Sequence, residues 1–463
     1  AIQAQLRGAG IDVTLEPLPS SLFYDRVGER DFSSILTLWY IDYPDSEGFL
    51  TDFYSGASFR LSRYSNPRFD AAYEAGLAAP TGAEKRRHFL DAEGIVMADM
   101  PWVPLYSDNE LFLLTPQAVG FKSNAYQYYD YRYVDVPNLR VATDVEAHAL
   151  DPALTYDLGS KQIITQSYEG LLALDENNRI TASLAENWTV AASGDAITFK
   201  LRDGARFQSG CRSDGNNSPV RAADVKASFE RLIKSDSPYN YIFNHVRGVG
   251  SFKSGASASV AGFVIDNPLE FRIELEKPFP TMLSWLLVPA AYIVPHDLPV
   301  DFDFNKQSCG TGPFKLESWD GKTARLARNP DYWANDGGAP LPKADRLTIR
   351  AIREPAVQLA AMENGELDIT NVPLSLYDQI LDAEGQLQAR YRDKAMLRET
   401  PLNNLKFITF NMESAPWGAS HELRQMLSKH IDREKLVNAL FKGKARAAYS
   451  VIPPGLSLAD EGQ

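Results

Sequence analysis

The sequence predicts an α/β protein of more than one domain. At about 150 residues per domain, 463 residues exceed what one hydrophobic core organises. Strand-like alternation and helix-like periodicity interleave along the chain instead of separating into blocks. No run of 18 or more apolar residues occurs, so nothing in it reads as a membrane-spanning helix. The longest apolar stretch, 282–294 (MLSWLLVPAAYIV), is broken by Pro289 and reads as a buried element.

The elements follow in order. Ile2 and Leu6 before a Gly8/Gly10 stop read as the end of an amphipathic helix, and 11–18 (IDVTLEPL) as a strand. The opening residues lack the basic and apolar regions of a signal peptide. SSILTLW (33–39) reads as a buried strand, and helices are expected over about 67–79 and 84–97. Residues 124–138, with five tyrosines, suit an edge strand or a joint. LRVATD then restarts the strand–helix alternation, with a helix ending near 168–172. The stretch 186–210 reads as a β-meander, 222–233 as a helix and 263–280 as more strand. After Gly310, strands TARLARN and ADRLTIRAI precede a helix at 355–366, and 422–441 reads as an amphipathic helix pair.

Composition narrows the function. Hydrophobic residues at 44% and charged residues at 23% describe an ordinary globular protein. A net charge of −13 argues against a nucleic-acid partner and against docking on anionic lipid. There is no G-x-S-x-G, no H-E-x-x-H and no phosphate-binding loop, and the six histidines fall at no metal-ligand spacing. Gly310 and Gly312 (GTG) lack the third glycine of a dinucleotide fingerprint and read as a tight turn. A hydrolase using two of the 60 acidic residues is the competing reading, yet no pair stands out. Catalysis is therefore the weaker reading, and a non-enzyme needing no cofactor or metal is expected.

Several segments together resemble the extracellular solute-binding proteins of the peptide/nickel/opine ABC-importer family, family 5. They are LDPALTYD (150–157), YEGLL (168–172), LAENW (184–188), FKLRDGARF (199–207) and PVRAADVKASFERL (219–232). KPFPTMLSWL (277–286), GTGPFKLESW (310–319), NPDYW (329–333), MENGELDI (362–369), RQMLSKHIDREKLV (424–437) and VIPPG (451–455) continue the pattern. LWYIDYPDSEGFL (38–50), YSNPRFDAAYEAGLAA (64–79) and MPWVPLY (100–106) also fit. The family's usual order places the LDPALTYD half first, so the chain resembles a circular permutation joined near 138–139. The 40 to 50 residues that usually link VIPPG to IQAQL are not among the 463.

The resemblance implies a two-lobed periplasmic-binding-protein clamshell with mixed β-sheets and an extra β-rich subdomain. One lobe would be 120–401, with a subdomain inserted at about 176–297; the other would join 402–463 to 1–119. Hinge crossings would fall near 400–410 and 117–122. The implied function is capture of a peptide or small polar solute in an interlobe cleft and delivery to an ABC-transporter permease. Opines, sugar conjugates, metal chelates and haem are the alternative ligands, and a receptor-signalling variant the alternative use. A monomeric periplasmic or extracellular protein is expected.

In peptide-binding members the DYPD-type loop lies along the ligand backbone and its first Asp pairs with the α-amino group. That role carries to Asp42, with Trp39, Tyr40 and Ile41 beside it. Asp45 reads as a turn residue. The second backbone partner carries to Tyr156, Asp157 and Leu158, and Asn403 is a hinge or ligand residue. Tyr332 and Trp333 read as scaffold. Cys211 and Cys309 are either one disulfide or two free thiols.

Overall fold

The computed structural model describes residues 1–29, 31–41, 43–57, 59–211, 218–299 and 301–456. The chain forms two compact units: 1–109 with 381–386 and 401–463, and 110–380 with 387–400. The first unit therefore draws on both ends of the chain. The boundary at 109/110 falls inside one long strand, Trp102–Leu114. That strand is buried over 102–105 and 111–114 and half-buried over 108–110.

In the first unit, Ser34–Tyr40 pairs with Asn404–Phe410, which pairs with the start of Trp102–Leu114, and Trp102–Leu114 in turn pairs with Ala445–Ala447. All of these pairings are antiparallel, so Ser34–Tyr40 and Trp102–Leu114 run the same way. Against one face, Pro67–Leu77 and Gly82–Asp99 form a helix hairpin. Asn66 and Thr81 cap the two helices with side-chain oxygens, and Tyr73 stacks on both Phe69 and Phe89. Trp102 stacks on Phe407 at 3.7 Å beneath them. Ile2–Gly8 and His421–Lys429 supply Leu6 and Leu427 to a second cluster with Val103, Leu105 and Phe410.

Residues 11–18 are not a strand, contrary to their alternation. Alternation yields a strand only where a neighbouring ladder takes its backbone groups. Here the amide of Ile11 bonds Leu6, the carbonyl of Val13 accepts from the Gln3 side chain, and Leu15 is 66% exposed. Ser20–Glu29 is a helix that the periodicity did not suggest. The pair expected at 422–441 is present, broken at 430–432, where Asp432 caps Arg433–Phe441.

The second unit is a mixed sheet. The end of Trp102–Leu114 is followed by Ile369–Asn371, Asn138–Thr143, Arg346–Ala351, Thr323–Arg328 and Phe314–Trp319. Asn138–Thr143 runs parallel to Arg346–Ala351 over six residue pairs. A separate four-stranded antiparallel sheet in the order Phe263–Asn267, Glu270–Glu274, Ala196–Leu201, Ala185–Val190 packs on the helix Ala222–Lys234. Phe229 of that helix meets Phe243, Phe263 and Phe271. The tyrosine-rich 124–138 contains only the two-residue strand Tyr129–Asp130, paired to Lys122–Ser123, with Tyr126, Tyr129 and Tyr131 buried. The apolar stretch 282–294 is buried, as its composition predicts. Cys211 and Cys309 form a disulfide, their Cα atoms 5.1 Å apart.

Neither Gly310 nor Gly312 has a positive φ, so a left-handed backbone is not what requires glycine there. A Cβ on Gly310 would run into the Ser167 carbonyl, and one on Gly312 would lie 2.6 Å from the Gln166 carbonyl. Glycine is required there by the close passage of 166–168.

Candidate functional site

Asp42 lies outside the described residues. What surrounds it in sequence is well defined, because the loop after Ser34–Tyr40 is held by buried polar groups. Trp39 donates from Nε1 to the Gly48 carbonyl at 3.0 Å and lies near Phe59 and Trp102. Ile41 is buried against Gly48. Asp45 is a turn residue, its Oδ1 accepting from the Glu47 amide at 3.0 Å, and it is also buried and paired with the Lys85 ammonium. Glu47 accepts from the hydroxyls of Tyr43 and Tyr73, both at 2.7 Å. Burial, together with the charge of Asp45, raises the Glu47 pKa, and the two tyrosines lower it. Farther on, Asp52 is 1% exposed and accepts the Leu61 amide at 2.8 Å, while its other oxygen has no partner among the described residues. Burial pushes its carboxyl up to about 7. Lys85, Glu47, Tyr73 and Asp52 were not singled out from sequence, because their partners lie up to 40 residues away.

At the end of this unit's sheet, Tyr40 pairs with Asn404, Lys406 with both Leu38 and Tyr106, and Asp108 with Ala445. Period-two alternation places Tyr40, Asn404, Lys406, Tyr106 and Asp108 on one face. Asn404 grips Asp108 twice: its Oδ1 accepts the Asp108 amide at 2.9 Å and its Nδ2 donates to Oδ2 at 3.2 Å. Burial raises the Asp108 pKa, opposed by Lys406 and Asn404. Tyr40 is 48% exposed, and Asn403 is buried against Gly455.

In the second unit, Asp157 is the N-cap of Leu158–Ser167, accepting the Ser160 amide at 2.8 Å. Tyr156 is 64% exposed beside the His148 ring, and Leu158 is half-buried as the first helical residue. Nearby in sequence, the Lys161 ammonium donates to the Tyr126 carbonyl and sits 4.0 Å from the Tyr128 ring centre. Glu110 accepts from Tyr129 and Gln127 with one oxygen, and its other oxygen is buried without a donor among the described residues. Its carboxyl is pushed up to about 7, chiefly by burial.

A third feature gathers three segments of the sequence pattern. Glu169 of YEGLL accepts from Tyr332 at 2.8 Å, Thr311 at 2.8 Å and Trp333 at 2.9 Å. Arg132, held in a two-bond fork by Asp130, donates to the Tyr332 hydroxyl at 2.9 Å. Tyr332 and Trp333 are thus scaffold with a defined task. Asp130, Arg132, Glu169, Tyr332 and Trp333 line a cavity of about 350 Å³. Among the described residues no group of His, Cys, Asp or Glu is arranged to hold a metal ion, and no helix is long and apolar enough to cross a membrane.

The sequence-predicted residues divide accordingly. Trp39, Tyr40, Ile41 and Asn403 lie in the first unit, and Tyr156, Asp157 and Leu158 in the second.

Comparison with known proteins adds the following. The sequence pattern of the bacterial extracellular solute-binding proteins, family 5 Middle, matches residues 179–463. The glutathione-binding protein GsiB of Salmonella paratyphi A is 28% identical over 326 residues, covering 70% of this chain and 57% of that protein. GsiB of Escherichia coli O6:K15:H31 is 28% identical over 327 residues, with the same coverage. The chain thus spans 57% of the length of these curated relatives. Among solved structures, OppA of Burkholderia pseudomallei superposes with a TM-score of 0.47 at 23% identity, covering 53% of this chain and 48% of that one. Haemophilus influenzae OppA in complex with RPPGFSPFR gives 0.46 at 22% identity, covering 53% and 48%.

Proposed function

The chain belongs to the bacterial extracellular solute-binding proteins, family 5, and on that footing we propose that it captures a peptide or peptide-like solute for the permease of an ABC importer. The observation that carries this reading is the family match over 179–463. Relatives named for glutathione binding, similar over 70% of the chain, favour a peptide-like solute over an opine, a sugar conjugate or haem. No catalytic step is part of this reading.

Within the first unit we assign recognition of the solute's amine to Asp42. Its acidic neighbours Asp45 and Glu47 support this, since each is committed to the loop's own scaffold through Lys85, Tyr43 and Tyr73. A desolvated ammonium needs a carboxylate partner, and main-chain pairing binds peptides without reading their side chains. In the second unit Asp157 spends its carboxylate on the helix cap, so the role we assign to 156–158 is a main-chain one, with the exposed Tyr156 ring beside it.

Calorimetry with free-amine and N-acetylated tripeptide pools tests the amine assignment. The unaltered protein is expected to prefer the free amine, and Asp42→Asn to lose about 1.5–3 kcal/mol of that preference. Equal binding of both pools by the unaltered protein would remove Asp42 from this role.

A further inference from the structure

We propose that the cavity of the second unit binds a neutral polyhydroxyl solute the size of a monosaccharide, at a site separate from the amine recognition assigned to Asp42. The cavity, about 350 Å³, is within the range of small-molecule pockets, and every residue lining it falls between 122 and 333, inside the second unit. It shares no residue with 156–158. Gln166 and Ser183 line it and are only 2% and 5% exposed. The Gln166 amide nitrogen donates to the Tyr129 and Gln162 carbonyls at 2.9 and 3.2 Å, and its Oε1 takes no hydrogen bond among the described residues. Ser183 engages through its main chain, donating to Leu171 and accepting from the Arg202 side chain, and its Oγ has no partner among the described residues. Neither atom is fully shut off by packing. Buried polar groups are nearly always satisfied, so two idle ones on one cavity mark the place of a partner. The half-buried Tyr292 lines the same cavity with its hydroxyl unbonded among the described residues, and both Glu169 and Arg132 act on that phenol.

The charges around the cavity are already matched. Arg132 is forked by Asp130, Arg179 pairs with Asp175 at 2.9 Å, and Glu169 is filled by three donors. Lys122 has Glu176 at 3.7 Å and the Tyr133 ring centre at 4.7 Å. An ionic solute entering here would have to break one of these pairs to be neutralised, whereas a neutral one leaves them intact. The hydrogen-bonding capacity that remains is mixed. Gln166 Oε1 only accepts, and Ser183 and Tyr292 do either. Arg132 commits three N–H groups to Asp130 and Tyr332, and the rest of its guanidinium only donates. A hydroxyl both donates and accepts, so a solute carrying several of them serves all four side chains without bringing a charge.

The test is calorimetry and saturation-transfer NMR on the whole chain with glucose, galactose and mannose, beside the charged relatives glucuronate and protonated glucosamine. At least one of the three neutral sugars is expected to bind the unaltered protein, and its charged relatives to bind about tenfold less well. That comparison needs no variant. Gln166→Leu and Ser183→Ala, each checked for folding by circular dichroism, should weaken the sugar about fivefold and leave retention of a tripeptide pool unchanged. A saturating tripeptide pool should not displace the sugar. Binding of none of the three sugars by the unaltered protein overturns the site, leaves the cavity to water, and leaves the peptide reading standing. Sugar binding with no tripeptide binding supports the site and overturns the peptide reading. Displacement of the sugar by tripeptides, equal binding of the charged relatives, or unchanged affinity in both folded variants overturns the site.

Discussion

Replacing Glu169 by Ala is expected to destabilise the second unit by about 3–5 kcal/mol, the range for removing one partner from a buried, hydrogen-bonded charge network. Three donors converge on that carboxylate, from Thr311, Tyr332 and Trp333. Without it they lose their acceptor, and Arg132 loses the nearby carboxylate while keeping Asp130 and the Tyr332 hydroxyl. Burial already raises the Glu169 pKa, with its hydrogen bonds and Arg132 opposing the rise, so the network is what keeps the charge tolerable. Denaturant unfolding followed by tryptophan fluorescence measures the effect. A loss below about 0.5 kcal/mol, the typical surface-substitution range, would show that the convergence of YEGLL, GTGPF and NPDYW on this carboxylate is incidental.

Asp52→Asn is expected to stabilise the first unit at pH 8 by about 2–4 kcal/mol, and to change little near pH 4. The sign follows from the raised pKa. The folded-state value is about 7 against an ordinary 3.8. Between these values the folded chain keeps a proton that the unfolded chain has released, so stability falls as pH rises toward 7. Above 7 the buried carboxylate carries its full desolvation cost, with one oxygen lacking a partner among the described residues. A neutral amide of the same shape avoids that cost. Thermal unfolding of both proteins at pH 4.5 and pH 8 checks it. An equal difference at both values would mean that Asp52 is not protonated on folding.

Much of this architecture was legible because local patterns and local geometry agreed. Thr81 before Gly82–Asp99, Asn66 with Pro67 at the start of its helix, and the Gly-punctuated strands all follow from short-range chemistry. The failures came where the deciding partner was distant. Residues 11–18 alternate correctly yet form no strand, and the Ile11 amide and the Val13 carbonyl bond helix Ile2–Gly8 instead. The two glycines of GTG looked like turn residues, but what demands them is the approach of 166–168, about 140 positions earlier.

The site followed the same division. The DYPD loop was recognisable from sequence, as was Asp45 as a turn former. Its partner Lys85, 40 residues on, was invisible there, because nothing local marks one lysine among many on a helix as buried. The pairing of Asp108 with Asn404, 296 residues apart, likewise exists only once strand register is known.

The central claim, capture of a peptide-like solute, is tested most directly by native mass spectrometry of the chain as purified, followed by denaturing release and sequencing of any bound mass. The expected result is a heterogeneous mass excess that resolves into short peptides or amino-acid conjugates bearing a free amine and a carboxylate. Release of a single compound lacking both groups, or failure of an added tripeptide pool to bind the emptied protein, would contradict it.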